Sequence, residues 1–319
     1  MHYWRGLEAV PPGTGPTVAT IGNFDGVHRG HRKVLDTLVA MGASLGAEAV
    51  AISFDPHPAH VHRPEAAPEL IMGLPDRIDA LEATGIDALL MVHYTLEFAR
   101  ATAEEFVKDV IVDRLGAKGV VVGHDVRFGR DNKGDFETMV RLGERHGFEV
   151  VGVDDVGGER RWSSTWIREA LLNGDVSTAN AILGRPHRMR GEVVHGAARG
   201  RELGFPTANL ATDAQGIIPS DGVYAGWLVD EAGVRWPAAI SVGSNPTFEG
   251  VSRQVEAHVI DRPEEPVEEF DLYGQQVVVE FTARLRPMVA YRGIEALVQQ
   301  MNDDVAHARG ILAGDRAGA

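Results

Sequence analysis

The chain has 319 residues, 44% of them hydrophobic and 24% charged, with a formal net charge of -15 and 0 cysteines. That length suits about two domains of roughly 150 residues each. The acidic balance argues against a nucleic-acid or acidic-membrane partner, since phosphate backbones reward clustered Lys and Arg, and the lack of cysteine excludes disulfides and thiolate-bound metals. The N-terminal stretch MHYWRGLEAVPPGTG has neither an apolar core nor a small-residue cleavage site, and no apolar run reaches the span of a bilayer. A cytoplasmic protein is the expectation, with homo-oligomerisation left open.

In chain order, TVATIGNF predicts a strand and HRKVLDTLVAMGASLG a helix with Val34, Leu35, Leu38 and Val39 on one face. EAVAISF, IDALLMVHY, KGVVVGHD and FEVVGVDDV predict further strands. LPDRIDALEATG, TAEEFVKDVIVDRLG and DFETMVRLGERHG predict the helices between them. The strands are short continuous apolar runs, the pattern of strands covered on both faces. Strand and helix in strict alternation imply βαβ units and a parallel sheet. SSTWIREALLNGDVSTANAILG then adds helix up to Gly184.

After GRP, at Gly184–Pro186, the texture changes. RGEVVHG, GVYAGWLV, WPAAISVG, VEAHVID and QQVVVEFTARL are closely spaced strands, and DEAG reads as a hairpin turn. A compact antiparallel barrel or sandwich is expected. Ile294, Leu297, Val298, Met301 and Val305 recur at helical spacing and predict a closing helix. The composition therefore divides the chain into domains 1–184 and 185–319.

The stretch TIGNFDGVHRGHRKVL joins the first strand of the alternating pattern to its helix and raises a chemical question. Its first helical turn carries His28, Arg29, His31, Arg32 and Lys33, with no acid between Asp25 and Asp36. A helix N-terminus carries partial positive charge and ordinarily favours acids. Gly22, Gly26 and Gly30 allow a tight turn and close approach of a ligand. A phosphate group at the helix start explains the missing acids. A solvated basic cap is a second explanation, and a metal site with His57, His60 and His62 of DPHPAHVHR a third. RRWSSTWIREAL has the same oddity. A Ser/Thr cap opens a helix, yet Arg168 is placed near its first turn, where Glu is favoured. It reads as a second phosphate clamp or as an ordinary surface arginine.

In the second half, GRELGFPTANL sets Thr207 and Asn209 two apart, on the same side of an extended strand. A hydroxyl and an amide oxygen suit Mg²⁺ carrying nucleotide phosphates. Gly196, Gly200 and Gly204 around Arg199 and Arg201 make a loop able to cover phosphates, or an ordinary surface hairpin. QVEAHVIDR puts Glu256 and His258 on one strand face, opposite Val255, Ala257 and Val259. Glu256 is either a salt-bridged rim residue or a general base.

GNFDGVHRGH resembles the HxGH motif of adenylyl-transferring nucleotidyltransferases. With SFDPHP, VVGHDVRFG and SSTWIREAL in order, the first half is similar to the bacterial bifunctional riboflavin kinase/FMN adenylyltransferase (FAD synthetase) family. GRPHRMRGEVVHG, GFPTANL, DGVYAG, ISVGSNPTF and VEAHVID are similar, in order, to its riboflavin kinase module. The resemblance implies an α/β protein: a Rossmann-like parallel-sheet nucleotidyltransferase domain, then an antiparallel β-barrel kinase domain with a closing helix. It implies phosphorylation of riboflavin to FMN and adenylylation of FMN to FAD, with ATP as co-substrate and Mg²⁺ as cofactor. Catalytic roles fall on Glu256, His28, His31 and Arg168. ATP and phosphate contacts fall on Gly22, Asn23, Phe24, Asp25, Gly26, Gly30, Asp125, Arg161, Ser163, Ser164, Thr165, Gly200, Pro206, Thr207 and Asn209. Thr207 and Asn209 serve the metal, and Phe54 and Phe128 lie where a flavin could stack. In HGAARGR, Ala197 and Ala198 stand where the family often has Asp-Gly.

Overall fold

The computed structural model describes residues 1–196, 203–247, 250–261, 272–289, 291 and 293–316. It separates into two compact units, Met1–Pro68 with Leu74–Ser163, and Glu69–Gly73 with Ser164–Ala319.

The first unit is a parallel sheet of β1 (His2–Arg5), β2 (Thr17–Ile21), β3 (Glu48–Asp55), β4 (Ala88–His93), β5 (Ala117–Gly123) and β6 (Glu149–Val153), in the order β1-β4-β3-β2-β5-β6. Between them run α1 (Arg29–Leu45), α2 (Pro58–His62), α3 (Leu74–Glu82), α4 (Ala103–Phe106) and α5 (Phe136–His146). α4 opens on a capping box between Thr102 and Glu105 and continues as wider π turns over Val107–Arg114. The parallel alternation is the one expected from the sequence. β1 was not expected: four residues at the sheet edge, only Trp4 of them buried, leave no apolar run to read. α1 buries Leu35 and Leu38 completely. Each such leucine contributes roughly 1.5–3 kcal/mol.

β2 lies between β3 and β5, so the strand order reverses at its edge. At such a switch point the loops beyond the carboxyl ends of adjacent strands part and leave a crevice. The turn after β2 and the loop after β5 leave the sheet there.

The second unit holds α6 (Ser164–Leu172), α7 (Val176–Leu183) and a closed antiparallel barrel. Its strands are β7 (His187–Val194), β8 (Ala208–Leu210), β9 (Gly222–Val229), β10 (Arg235–Thr247), β11 (Gly250–Val259) and β12 (Gln276–Arg286), in the order β10-β11-β8-β7-β12-β9. The barrel resolves the barrel-or-sandwich alternative. α7 buries Val176, Ala179, Ile182 and Leu183, and Asn180 binds the barrel at both ends of its amide. Its Nδ2 donates to Phe281 O at 2.8 Å, and its Oδ1 accepts from His187 N at 2.7 Å.

The closing helix α8 (Ile294–Arg316) packs on β9, β10 and β12. Ala308 and Leu312 join Ala225, Trp227 and Ile260 in one apolar cluster, which covers the outer face of β9 and explains its unbroken apolar run. Of the expected stripe, Leu297, Val298, Met301 and Val305 are half-buried and Val305 packs on this cluster, while Ile294 is 68% exposed and the burial extends further to Asp304, Ala308 and Leu312. Asp304 is held by Arg286, whose Nη2 donates at 2.7 Å and Nε at 2.9 Å.

Candidate active sites

The turn from β2 to α1 is strained. Phe24 (φ 50) and Val27 (φ 38) lie in the left-handed region, with Val27 N donating to Phe24 O at 3.1 Å. A β-branched residue rarely takes that conformation, and each such residue costs of order 1–3 kcal/mol. Phe24, Asp25, Val27 and His28 are all buried.

His28 caps α1. Its Nδ1 accepts from Gly30 N at 3.1 Å and His31 N at 3.3 Å. Two acceptances at Nδ1 leave the ring proton on Nε2. Gly30 permits this close approach, since a Cβ there would sit 3.0 Å from the His28 ring. The His28 and His31 rings stack with centroids 3.7 Å apart, and Phe24 meets His31 edge-on at 5.3 Å. Burial first, and the neighbouring His28 second, push the His31 pKa well below its ordinary value. His31 Nδ1 is buried with no hydrogen-bond partner among the described residues.

The lowered pKa of His31, a potential cation of the helix start, favours its neutral ring. The amides of Gly30 and His31 are taken by His28. Arg29 lies over the Trp162 ring at 5.4 Å, and Arg32 pairs with Asp36 at 3.4 Å.

The remaining first-half residues are distributed as follows. Gly22 continues β2 by donating to Ile52 O at 3.1 Å. Asn23 O accepts from Ser53 Oγ and from Arg77 Nη1, each at 3.2 Å. Arg77 carried no motif and was not singled out by sequence. Asp125, beyond β5, pairs with Arg161 at 2.5 Å, and Arg161 also reaches Asp155 at 3.3 Å. These side chains are about half exposed, and exposed pairs contribute only ~0–1 kcal/mol.

Ser163 precedes α6, and Ser164 and Thr165 begin it. The helix starts at Ser164, at the expected Ser/Thr cap, and Arg168 is its fifth residue, just past the first turn. Its Nε donates to Glu69 O at 2.7 Å. Phe54 and Phe128 are 8% and 4% exposed, both within the apolar core. Phe54 packs against Tyr94 at 5.4 Å, and Phe128 against Phe106 at 6.1 Å. The alternative metal cluster gains no support. His57 caps α2, His60 Nε2 is 3.0 Å from Pro68 O, and His62 Nε2 is 2.9 Å from Tyr94 Oη. No group of three metal-ligating side chains occurs among the described residues.

In the barrel, Asn209 is the register partner of Glu256, across β8 and β11. Thr207 Oγ1 donates to Glu256 Oε2 at 3.5 Å, and Asn209 Nδ2 donates to Thr207 Oγ1 at 3.3 Å. The three side chains thus form one polar group. Gly196 closes in on it, for a Cβ there would lie 2.5 Å from Asn209 Oδ1. Pro206 O is 2.9 Å from His258 Nδ1, one step along the same face as Glu256. Val255, Ala257 and Val259 are buried, so the expected division of the strand faces holds. Nearby, Asp221 is pushed up by burial, but hydrogen bonds from Ser244 and Arg253 outweigh this and hold it below its ordinary value. Gly200, with Ala197, Ala198, Arg199 and Arg201, lies outside the described residues.

The chain thus combines a parallel α/β sheet, with a strained, histidine-capped turn at its switch point, and a six-stranded antiparallel barrel carrying a hydroxyl–amide–carboxylate group. Family models agree with both halves: FAD synthetase over residues 11–166 and riboflavin kinase over residues 183–312. The bifunctional riboflavin kinase/FMN adenylyltransferase of Pseudomonas fluorescens is 36% identical over 98% of this chain and 98% of its own. That of Bacillus subtilis is 34% identical over 90% of each. The chain belongs to the bifunctional riboflavin kinase/FMN adenylyltransferase family. It phosphorylates riboflavin to FMN with ATP and adenylylates FMN to FAD, releasing pyrophosphate. A crystal structure from Streptococcus pneumoniae, described as a macrolide-efflux protein, matches with a TM-score of 0.86 and 30% identity over 97% of this chain and 99% of that one. Efflux is said of that protein. Among the described residues here, no helix is long and apolar enough to cross a membrane.

Proposed function

We propose that the two reactions are divided between the two sites, adenylyl transfer at the β2–α1 turn and phosphoryl transfer at Thr207, Asn209 and Glu256, with domains 1–184 and 185–319 carrying one reaction each. The observation that carries this reading is the pair of backbone amides, Gly30 N and His31 N, that donate to His28 Nδ1. With Nδ1 accepting two backbone amides, Nε2–H is a fixed donor beside a neutral His31. In adenylyl transfer, an FMN phosphate oxygen attacks the α-phosphorus of ATP, the α–β bridging P–O bond breaks, and pyrophosphate leaves. Preorganised donors aimed at the developing charge lower the barrier without reorganising. The orphaned His31 Nδ1 is a group that a substrate oxygen or bound water would satisfy. Gly22, Asn23, Phe24, Asp25, Gly26 and Gly30 shape the turn. Asp125, Arg161, Ser163, Ser164, Thr165 and Arg168 are assigned to ATP on their motifs. Phe54 and Phe128 are assigned to the flavin on position alone, and their burial makes a supporting role in the core part of that assignment.

In the kinase reaction, the riboflavin 5′-hydroxyl oxygen attacks the γ-phosphorus, its proton passes to Glu256, and ADP leaves. The hydroxyl of Thr207 and the amide oxygen of Asn209 are hard oxygen donors of the kind that suits Mg²⁺. When bound, Mg²⁺ neutralises phosphate charge. Pro206 orders the approach to Thr207, and Gly200 is assigned to the phosphates by its motif. The acidic balance and the small-molecule chemistry support a cytoplasmic enzyme without nucleic-acid or membrane partners, and homo-oligomerisation is compatible with both. The test is incubation with riboflavin, ATP and Mg²⁺ and separation of the flavins over time. FMN should rise first and FAD follow. FMN that accumulates at every ATP level without FAD would remove the first assignment.

A further inference from the structure

Arg77, on α3, is 3% exposed. A buried guanidinium is costly unless it is paired and hydrogen-bonded. Here Nη1 donates to Asn23 O at 3.2 Å and Nη2 to Phe54 O at 3.0 Å, while Asp55 Oδ1 lies 3.9 Å from Nη2. Burial lowers the Arg77 pKa from its ordinary value, and Asp55, then the buried Asp25, act electrostatically against that shift. One side chain therefore fastens the turn after β2 to the carboxyl end of β3. Ser53 Oγ reinforces the same Asn23 carbonyl.

The fastened turn is the one that needs it. Residues in sparsely populated backbone regions persist only where their surroundings over-determine them, and Phe24 and Val27 are two within four residues. His28 follows directly. We propose that Arg77 is a positioning residue for adenylyl transfer, holding the Gly22–His28 turn so that His28 keeps its capping pose and its Nε2–H direction. The guanidinium fork suits this because its two terminal nitrogens reach two carbonyls on different segments. A lysine has a single terminal nitrogen and cannot reproduce the geometry. The inference rests on assigning adenylyl transfer to this turn.

The test uses the full-length chain. Arg77→Lys keeps the charge opposite Asp25 and Asp55 and removes the fork. Its expected effect is a fall in kcat for FMN adenylylation of ~10- to 10²-fold, the scale of a small misplacement. The KM values for FMN and ATP should stay within about two-fold, and riboflavin phosphorylation should be unchanged. Nitrogen NMR of the histidines should show His28 leaving its single Nε2–H tautomer. Arg77→Met removes the charge as well and should lose more, with Arg77→Lys recovering part of the loss. If Arg77→Met fails to melt cooperatively, Arg77→Lys decides alone. A folded Arg77→Lys protein with parental kcat and parental His28 signals overturns the proposal, as does a loss confined to KM. An altered His28 signal together with a His28→Ala protein that still makes FAD would leave the clamp standing and sink the site assignment instead.

Discussion

The β2–α1 turn and the barrel site reach comparable polar constructions by opposite routes. The first is contiguous: Gly22 to His31 supply the strained turn, the cap and the stacked imidazoles, and His28 bonds amides two and three residues away. The second is assembled across strands, and the Thr207–Glu256 hydrogen bond spans 49 residues of sequence. A contiguous site stores strain that its surroundings must hold. A cross-strand site takes its precision from register, because a one-residue slip would turn Glu256 to the other face. The two should therefore fail differently.

The largest effect is expected at the barrel. Glu256→Gln keeps shape and hydrogen bonding but removes the proton acceptor. Riboflavin phosphorylation should fall by ~10²–10⁴ with FMN adenylylation intact. Unchanged FMN formation would reduce Glu256 to a rim residue. Next, His28→Ala should lower adenylylation by ~10²–10³ and spare the kinase. It also removes the cap of α1, at ~0.5–2 kcal/mol of stability. His28→Asn can restore the cap without the imidazole, so melting should recover while FAD formation does not. If FAD formation returns with the cap, the ring has no chemical role.

The third test concerns where the barrel's support begins. Fragments 164–319 and 185–319 differ by α6 and α7. Each buried Val176, Ile182 or Leu183 contributes roughly 1.5–3 kcal/mol. Fragment 164–319 should melt cooperatively and make FMN but no FAD, and fragment 185–319 should be the less stable by several such increments. Equal melting temperatures would show that α7 adds nothing to the barrel. The smallest effect is on pH. His31 is held neutral in the fold, so at pH below its ordinary value of 6.5 the unfolded chain takes up a proton that the folded one refuses. Its contribution to stability is complete above pH 6.5 and is lost as pH falls below it. The melting temperature of the parent should drop between pH 7 and 5 more than that of His31→Gln. Parallel curves would contradict the burial.

Much of the fold was legible because its signals are local. Alternating apolar runs and amphipathic segments announced the parallel sheet, and the change of texture after Gly184 announced the barrel. The His28–His31 spacing and the Thr207–Asn209 pair were visible for the same reason. β1 was not, since an edge strand with one buried residue needs no pattern. The extension of burial along α8 to Ala308 and Leu312 was not legible either, because burial there follows from Trp227 and Ile260 on strands distant in sequence.

By itself the sequence determined the two architectures, the order of the motifs and the family they belong to, because local periodicity and contiguous motifs carry that information. Tertiary structure decided the state of the groups. Burial and stacking made His31 neutral, and a ring nitrogen instead of substrate took the first amides of α1. Strand register brought Glu256 to Asn209, and packing placed Arg77, from a helix without any motif, behind the turn after β2. Charge state, tautomer and cross-strand contact depend on neighbours that folding supplies, so no pattern of nearby residues records them.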